Sequence, residues 1–508
     1  MAHEIELELA LPKSAHAAFG RQPLLRNAAD RQSVKLFNIY YDTPDLALRE
    51  RGIALRLRRE GERWLQTVKC ASETRAGLSF RPEWETPYHG HFDFSPIDDA
   101  AVADWLGKKR IRERLLPVFE TNFQRTLWRV ETTNARLAVM LDKGWIVAAG
   151  RRESISEVEI ELIEGNIDEL FSLARTLAMH QPLVPVRQSK AERGYSLYKS
   201  VLPAPARARQ VELDATVGPL KALQRIALSC LEHLQDNRIG AMVSDDPEYI
   251  HQMRVAARRL RAALRLFQPV LPAGFTDEIL PALRAHMAVL GQARDLDVLL
   301  VEIAEPVLAA HPDDPQLAEL IGVLTERRHE ARQRVAELLG SPAFGRDQLL
   351  FLGRFHLLFS TSPEPSSGLP TLRSFAHERL QRLRRKVLKL AQRARSDDPV
   401  SLHTLRIAIK RLRYALEFFA PLAARKSVER TVAALAGLQD VFGQINDLVN
   451  ANRLLSECAG SDERLSAAAQ AIIANHEARE QELLARVPEA LASLRELPLP
   501  RLRATHQP

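Results

Sequence analysis

Several things that would narrow the chemistry of this chain at once are scarce in it. Cysteine occurs three times in 508 residues, as Cys70, Cys230 and Cys458. These lie far apart, with neither metal-ligand spacing nor a paired framework, so no zinc site and no disulfide scaffold is expected, and the thiols read as reduced ones. Aromatic residues make up only 6% of the chain. No strand interleaves them with cations in the manner of proteins that stack single-stranded bases. A run of roughly eighteen apolar residues, the length of a membrane-spanning helix, does not occur. The first residues, Met1-Ala2-His3-Glu4-Ile5-Glu6, lack the basic and apolar segments of a signal peptide, so a cytoplasmic location is expected. The glycine-rich phosphate loop of P-loop enzymes is absent, as is a Gly-x-Ser-x-Gly elbow.

What the chain does have is charge. Lysine and arginine number 71 against 64 aspartates and glutamates, a formal net charge of +7, with an isoelectric point near 9.4. That favours an anionic partner. With so few aromatics, a phosphate chain fits better than a nucleobase polymer, and no specific nucleic-acid partner is expected. Hydrophobic residues at 46% and charged residues at 27% describe a globular protein. The length suggests roughly two to four domains.

Two seams divide the chain. Leu202-Pro203-Ala204-Pro205 places two prolines in four residues, which stops regular structure and makes a stiff spacer. Before it, short runs alternate with period two; after it, long segments have period 3.6. The expected organisation is a β-rich domain over residues 1–202, a linker over 203–212 and an all-α domain over 213–500. The second seam, from Ser362 to Pro370, splits that helical domain into repeats of about 213–360 and 371–500.

The repeat is explicit. Ile250-His251-Gln252-Met253-Arg254 returns as Leu402-His403-Thr404-Leu405-Arg406, and Gly291-Gln292-Ala293-Arg294-Asp295 as Gly443-Gln444-Ile445-Asn446-Asp447, both at a constant offset of 152 residues. One offset held by two separated motifs means duplication. At about 100° per residue, His251, Arg254, Arg258, Arg261 and Arg265 fall within roughly an 80° arc of a helix. Met253, Ala257, Leu260 and Leu264 take the other side. The second copy aligns His403, Arg406, Lys410 and Arg413 in the same way. Acidic residues at i+3 or i+4 are nearly missing from the stripe, Glu417 excepted, so the cations repel rather than pair. A helix face of this kind suits a polyanion. Its histidines would add a pH term, since near pH 6 a fraction becomes cationic. Asp295, Asp297 and Asp447 have two readings, as metal carboxylates or as caps and partners that fix the arginines.

In the N-terminal part the polar face of each alternating run is charged. Glu4, Glu6 and Glu8 share one face, as do Arg56 and Arg58, Thr67 and Lys69, Glu83 and Glu85, and Glu157, Glu159 and Glu161. Acidic strands open and close the domain, with basic ones between. If one sheet closes on itself, these faces converge on a hydrated interior. Carboxylates there would hold Mg²⁺ or Mn²⁺, hard cations that take oxygen ligands. Arginine forks and lysines would bind phosphate oxygens.

Glu4-x-Glu6, Tyr40-Tyr41-Asp42-Thr43-Pro44, Leu55-Arg56-Leu57-Arg58, Glu157-Val158-Glu159-Ile160-Glu161 and Ser189-Lys190-x-x-Arg193-Gly194 together resemble the CYTH domain, the triphosphate tunnel fold. The repeated His-x-x-Arg helices resemble the CHAD domain, a helical module linked to polyphosphate. Their tandem is similar to bacterial CYTH–CHAD proteins described as inorganic triphosphatases. The resemblance implies an α+β multidomain chain: an antiparallel β-barrel or tunnel, then duplicated all-α bundles. It implies metal-dependent hydrolysis of inorganic triphosphate, with polyphosphate as a second partner and polyphosphate granules as an associated location. Glu4, Glu6, Asp142, Glu157 and Glu159 are the implied metal ligands. Arg56, Arg58, Arg125, Arg187 and Lys190 are the implied substrate cations, and Glu4, Glu6, Lys69 and Glu85 the implied catalytic group. His251, Arg254, Arg258, Arg261, His403, Arg406, Lys410 and Arg413 are the implied polyphosphate ligands. One position departs from the pattern: the family opens Glu-x-Glu-x-Lys, and here the third member is Glu8. The departure leaves two alternatives open, a catalytically weak polyphosphate-binding protein and a tunnel enzyme for an organic triphosphate such as thiamine triphosphate or ATP.

Overall fold

Alternation of charged and apolar residues makes two-faced strands, and a closed sheet turns one of those faces inward. The computed structural model shows one. It describes residues 3–28, 30–70, 76–201, 204–214, 216–358 and 371–502. Leu202, Pro203 and the Ser362–Pro370 seam lie outside the described residues. The chain forms two units, one of Met1–Ala204 with Leu339–Arg354, the other of Pro205–Leu338 with Phe355–Pro508.

The first unit is built on nine antiparallel strands: β1 (His3–Ala10), β2 (Asp30–Asp42), β3 (Ile53–Glu60), β4 (Arg63–Cys70), β5 (Leu78–Pro87), β6 (Leu116–Glu131), β7 (Ala135–Ala148), β8 (Arg151–Gly165) and β9 (Val184–Pro185). Their order is β5-β4-β3-β2-β6-β7-β8-β1-β9, and a further β5–β1 pairing closes the first eight into a barrel. Odd residues of β8 and even residues of β1 face inward. The inner ends are partly filled by apolar packing: Leu36, Phe119, Phe123, Ile146 and Ile155 with Tyr195. Outside, Leu55 and Val68 are covered by Trp105, Leu106 and Ile111.

Within two of the quoted motifs, Asp42, Ser189 and Gly194 are scaffolding. Asp42 is fully buried and accepts hydrogen bonds from the backbone N–H groups of Thr43, Leu48 and Arg49 and from the Tyr195 hydroxyl at 2.7–3.0 Å. It fixes the turn after β2. Ser189 caps the Lys190–Tyr198 helix in a reciprocal box with Glu192. Gly194 lets that helix lie on β6, because a Cβ there would sit 2.2 Å from the Phe119 ring. Lys190, first in the helix, is thereby aimed into the barrel.

Residues Leu339–Arg354 pack with this unit although they follow it by more than a hundred positions. A Cβ on Gly345 would lie 2.1 Å from the Leu183 carbonyl oxygen, and Arg346 donates to the Met179 carbonyl at 2.7 Å.

The second unit repeats one helical pattern. Asp246 caps the Pro247–Phe267 helix and Asp398 caps the Pro399–Phe418 helix, each with proline at the first helical position. These two helices touch. Equivalent residues Phe267 and Phe419 meet at 5.8 Å between ring centroids. Each is followed by a partner, Ile279–Val298 and Arg425–Ala459 respectively. The expected α+β class therefore holds, a closed antiparallel barrel followed by a helical unit. No helix among the described residues is long and apolar enough to cross a membrane. Cys70, Cys230 and Cys458 are all free thiols.

Candidate functional site

The barrel encloses a cavity of about 480 Å³. Glu4, Glu6 and Glu8 reach it from β1, Arg56 and Arg58 from β3, Lys69 from β4, Glu83 and Glu85 from β5, Arg125 from β6, Glu159 and Glu161 from β8, and Lys190 from its helix. Asp142, Glu157 and Arg187 are not among the lining residues.

The charges sort into two networks. In one, the Lys69 ammonium lies 2.7 Å from Glu4 and 2.9 Å from Glu83. Arg56 reaches Glu83 at 3.3 Å and Arg58 reaches Glu85 at 3.5 Å. Thr67 donates to Glu85 at 2.9 Å, and Asn38 accepts from Arg58 at 3.2 Å. Burial, reinforced by Glu6 and Glu83, pushes the Glu4 carboxyl up to about 7 in spite of Lys69. Glu83 goes the other way: against its burial, Lys69 and Arg56 hold it down to about 2. Burial and Glu4 also raise Glu161. A carboxyl that titrates near neutrality beside one that stays ionised is an acid–base arrangement.

In the second network Arg125 grips Asp142 with two bonds, at 2.8 and 2.6 Å, and also donates to Glu159. Lys190 lies 2.7 Å from Asp142 and 2.5 Å from Glu159, and bonds Glu157 too. Arg193 takes the other Glu157 oxygen at 2.7 Å. Arg125 and Lys190 hold Glu159 well below the usual carboxylate range although it is buried. The Asp142–Glu157–Glu159 trio is thus filled by an ammonium. A second trio, Glu6, Glu8 and Glu159, is buried with carboxylate oxygens within 4.8 Å of one another and lines the cavity.

Glu8 therefore sits beside two carboxylates rather than alone. Glu8→Lys replaces one carboxylate of this trio with an ammonium. At an effective dielectric of about 20, one charge at about 6 Å contributes at most roughly 3 kcal/mol. We expect triphosphate binding, measured by calorimetry in chelator, to tighten at least about tenfold, and Mn²⁺ binding to weaken. Unchanged triphosphate affinity would contradict this placement of charge.

The helical unit has its own cluster. Arg254 faces Asp295 at 3.6 Å, and the equivalent Arg406 faces Asp447 at 3.9 Å. Gly291 makes room for the first pair, since a Cβ there would lie 2.7 Å from Arg254 Nη1; at Gly443 the distance to Arg406 is 3.9 Å. Gly291 is thus a socket for Arg254. Arg258 interacts with Arg254, Arg406 and Lys410, so the two copies converge. Arg258 Nε and Arg406 Nε are buried with no acceptor among the described residues. His403 bonds Asn446 at 2.5 Å. Burial and Arg294 push His251 down to about 4, so the ionisation near pH 6 expected of the histidines does not hold for it. Arg261 lies near Arg265 and Arg411, and Arg413 faces Glu417 at 3.3 Å. Asp297 serves another purpose, tying Arg328 at 2.7 Å and Arg332 at 3.3 Å.

Sequence reasoning missed Asn38 and Phe123 and gave Tyr40 only as part of a motif, and all three line the cavity. The inward alternation of β2 and β6 was the available signal.

The CYTH domain model matches residues 2–195 and the CHAD domain model residues 225–456, the latter running through the Leu339–Arg354 segment that packs with the first unit. An inorganic triphosphatase of Haemophilus influenzae is 32% identical over 197 residues, 39% of this chain. The chain spans 55% of that relative's length. The crystal structure of the CHAD domain from the plant Ricinus communis is 35% identical, with a TM-score of 0.51, and the match covers 59% of this chain and 99% of that one.

Proposed function

The chain belongs to the CYTH and CHAD families, joined in that order, and from this premise we propose that the barrel hydrolyses inorganic triphosphate with a divalent cation while the helical unit holds polyphosphate. The observation that carries the reading is the cavity, where five cations, Arg56, Arg58, Lys69, Arg125 and Lys190, face carboxylates in one enclosed space. Guanidinium forks bind phosphate oxygens in pairs. Glu83 and Glu85 orient Arg56, Arg58 and Lys69 before substrate arrives, and Asp142 does so for Arg125. A cation of the Mg²⁺ or Mn²⁺ type fits the Glu6–Glu8–Glu159 trio, whose oxygens are close, buried and open to the cavity. When bound, it would neutralise phosphate charge and make water more acidic. Glu4, titrating near 7, is suited to take a proton from the attacking water, with Lys69 holding its carboxylate form. A weakly catalytic polyphosphate-binding protein is the second reading, and Glu8 is the observation that favours it. A cytoplasmic place at polyphosphate granules belongs to both.

Initial rates of phosphate release from inorganic triphosphate, ATP and thiamine triphosphate, each with Mg²⁺, Mn²⁺ or chelator, test the proposal. The expected result is metal-dependent turnover fastest on inorganic triphosphate. Equal rates in chelator would refute it.

The polyphosphate reading carries a pH signature. Burial, with Arg406 and Arg258 nearby, lowers Lys410 to about 7 in the ligand-free protein. A bound polyanion stabilises the ammonium and raises that pKa. Between the two values binding takes up a proton, so affinity falls as pH rises from about 7 towards 9, by up to about tenfold per unit. Below 7 Lys410 is already charged and contributes no further change. Isothermal titration of polyphosphate across this range in Lys410→Arg, which stays charged, should show the slope removed.

A further inference from the structure

On the outer face of the barrel residues 13–19 lie over parts of β6 and β7, but where β2, β6 and β7 run side by side Lys35, Asn122, Gln124 and Trp145 remain exposed. There the strand register lines up residues that are far apart in sequence. Trp64 pairs with Arg59, Arg59 with Phe37, Phe37 with Asn122, Asn122 with Trp145, and Trp145 with Ser154. One row across six strands therefore carries three aromatic rings, each two strands from the next. Neighbouring strands lie about 4.8 Å apart, so the backbone positions of the rings recur about every 10 Å. The Phe37 and Trp64 rings meet edge to face at 6.4 Å. Trp145 is 39% exposed.

The surroundings of the row are cationic. The Lys13 ammonium lies 4.6 Å and the Arg152 guanidinium 4.3 Å from the centre of the Trp145 ring. The next register row reads Lys35, Gln124, Lys143 and Ser156, without a carboxylate. Glu120 is the one acid in the row on the other side. Lys13, Lys35, Arg59, Lys143 and Arg152 form no salt bridge among the described residues, unlike the cations inside the barrel.

We propose that this exposed part of the sheet is a docking surface for single-stranded nucleic acid, read without base preference. Rings spaced across a sheet offer stacking platforms, and flanking unpaired cations meet the phosphates. The cations over Trp145 would turn to the backbone when a base takes the ring face. Bare polyphosphate uses none of the rings. A duplex hides its base faces from them.

The test uses the full chain carrying Arg254→Ala, Arg258→Ala and Arg406→Ala, so that the helical cluster does not mask the result. Fluorescein-labelled (dT)15 and (U)15, which separate DNA from RNA, and a 15-base-pair duplex are titrated while tryptophan emission is followed. Binding of either single strand with quenched tryptophan emission, and duplex binding at least about tenfold weaker, is expected. Phe37→Ala with Trp145→Ala should weaken the single-strand complex at least about tenfold. Lys35→Glu with Lys143→Glu, which keeps the rings, should do the same, and a thermal melt reports that each variant is folded. The inference is overturned if the single strands bind no better than the duplex, if binding vanishes in the triple-alanine background, or if folded ring and charge variants both bind like their parent.

Discussion

Glu159→Gln is expected to lower kcat/KM for triphosphate by about 10²–10³-fold, the size of effect seen when one preorganised electrostatic group is removed. Glu159 is the residue shared by both carboxylate trios. It accepts from Arg125 and Lys190, and so sets the positions of two cations as well as offering a ligand oxygen. Glutamine keeps the shape and loses the charge. Folding should survive, because Arg125 keeps its two bonds to Asp142 and Lys190 keeps Asp142 and Glu157. The stability lost should be about 1–2 kcal/mol, the scale of a weakened buried hydrogen bond. Steady-state kinetics beside a thermal melt separate the two effects. Wild-type turnover in the variant would remove Glu159 from the chemistry, and a collapsed melt would make it a folding residue.

Replacing Arg254, Arg258 and Arg406 together with alanine is expected to weaken polyphosphate binding at least about a hundredfold and to flatten its salt dependence. Log–log slopes fall by roughly one for each phosphate-contacting cation lost, a rule from nucleic acids that rests on counterion release and applies to any dense polyanion. The three residues come from both copies and interact with one another, so removing them takes out the convergence rather than one edge. Asp295 and Asp447 stay in place, and the apolar sides of both helices are untouched. Equal affinity of the parent for polyphosphate and for double-stranded DNA at the same phosphate concentration would reduce the cluster to an ordinary basic face.

The charged strands were legible because period-two alternation needs no tertiary knowledge: Glu4, Glu6, Arg56, Arg58, Lys69, Glu85 and Glu159 all line the cavity. The duplicated helices were legible for a similar reason, since a constant offset survives divergence. Pairings across the fold were not. Nothing local marks Lys190 as the ammonium among Asp142, Glu157 and Glu159, or Arg254 as the partner of Asp295. The Leu339–Arg354 segment looks like any amphipathic helix, and only packing assigns it to the barrel unit. The outer aromatic row was invisible because Trp64, Phe37 and Trp145 lie on three strands that are not consecutive in sequence. Their alignment is a property of the register.

The measurement closest to the central claim is a phosphorus NMR time course of inorganic triphosphate with the full chain and Mg²⁺, run beside the same sample in excess chelator. Conversion to pyrophosphate and orthophosphate in equal amounts, stopped by chelator and slowed by Glu159→Gln, is the predicted result. Triphosphate that persists unchanged with metal present, while its resonances broaden on binding, would contradict the account and leave a barrel that holds the chain without cutting it.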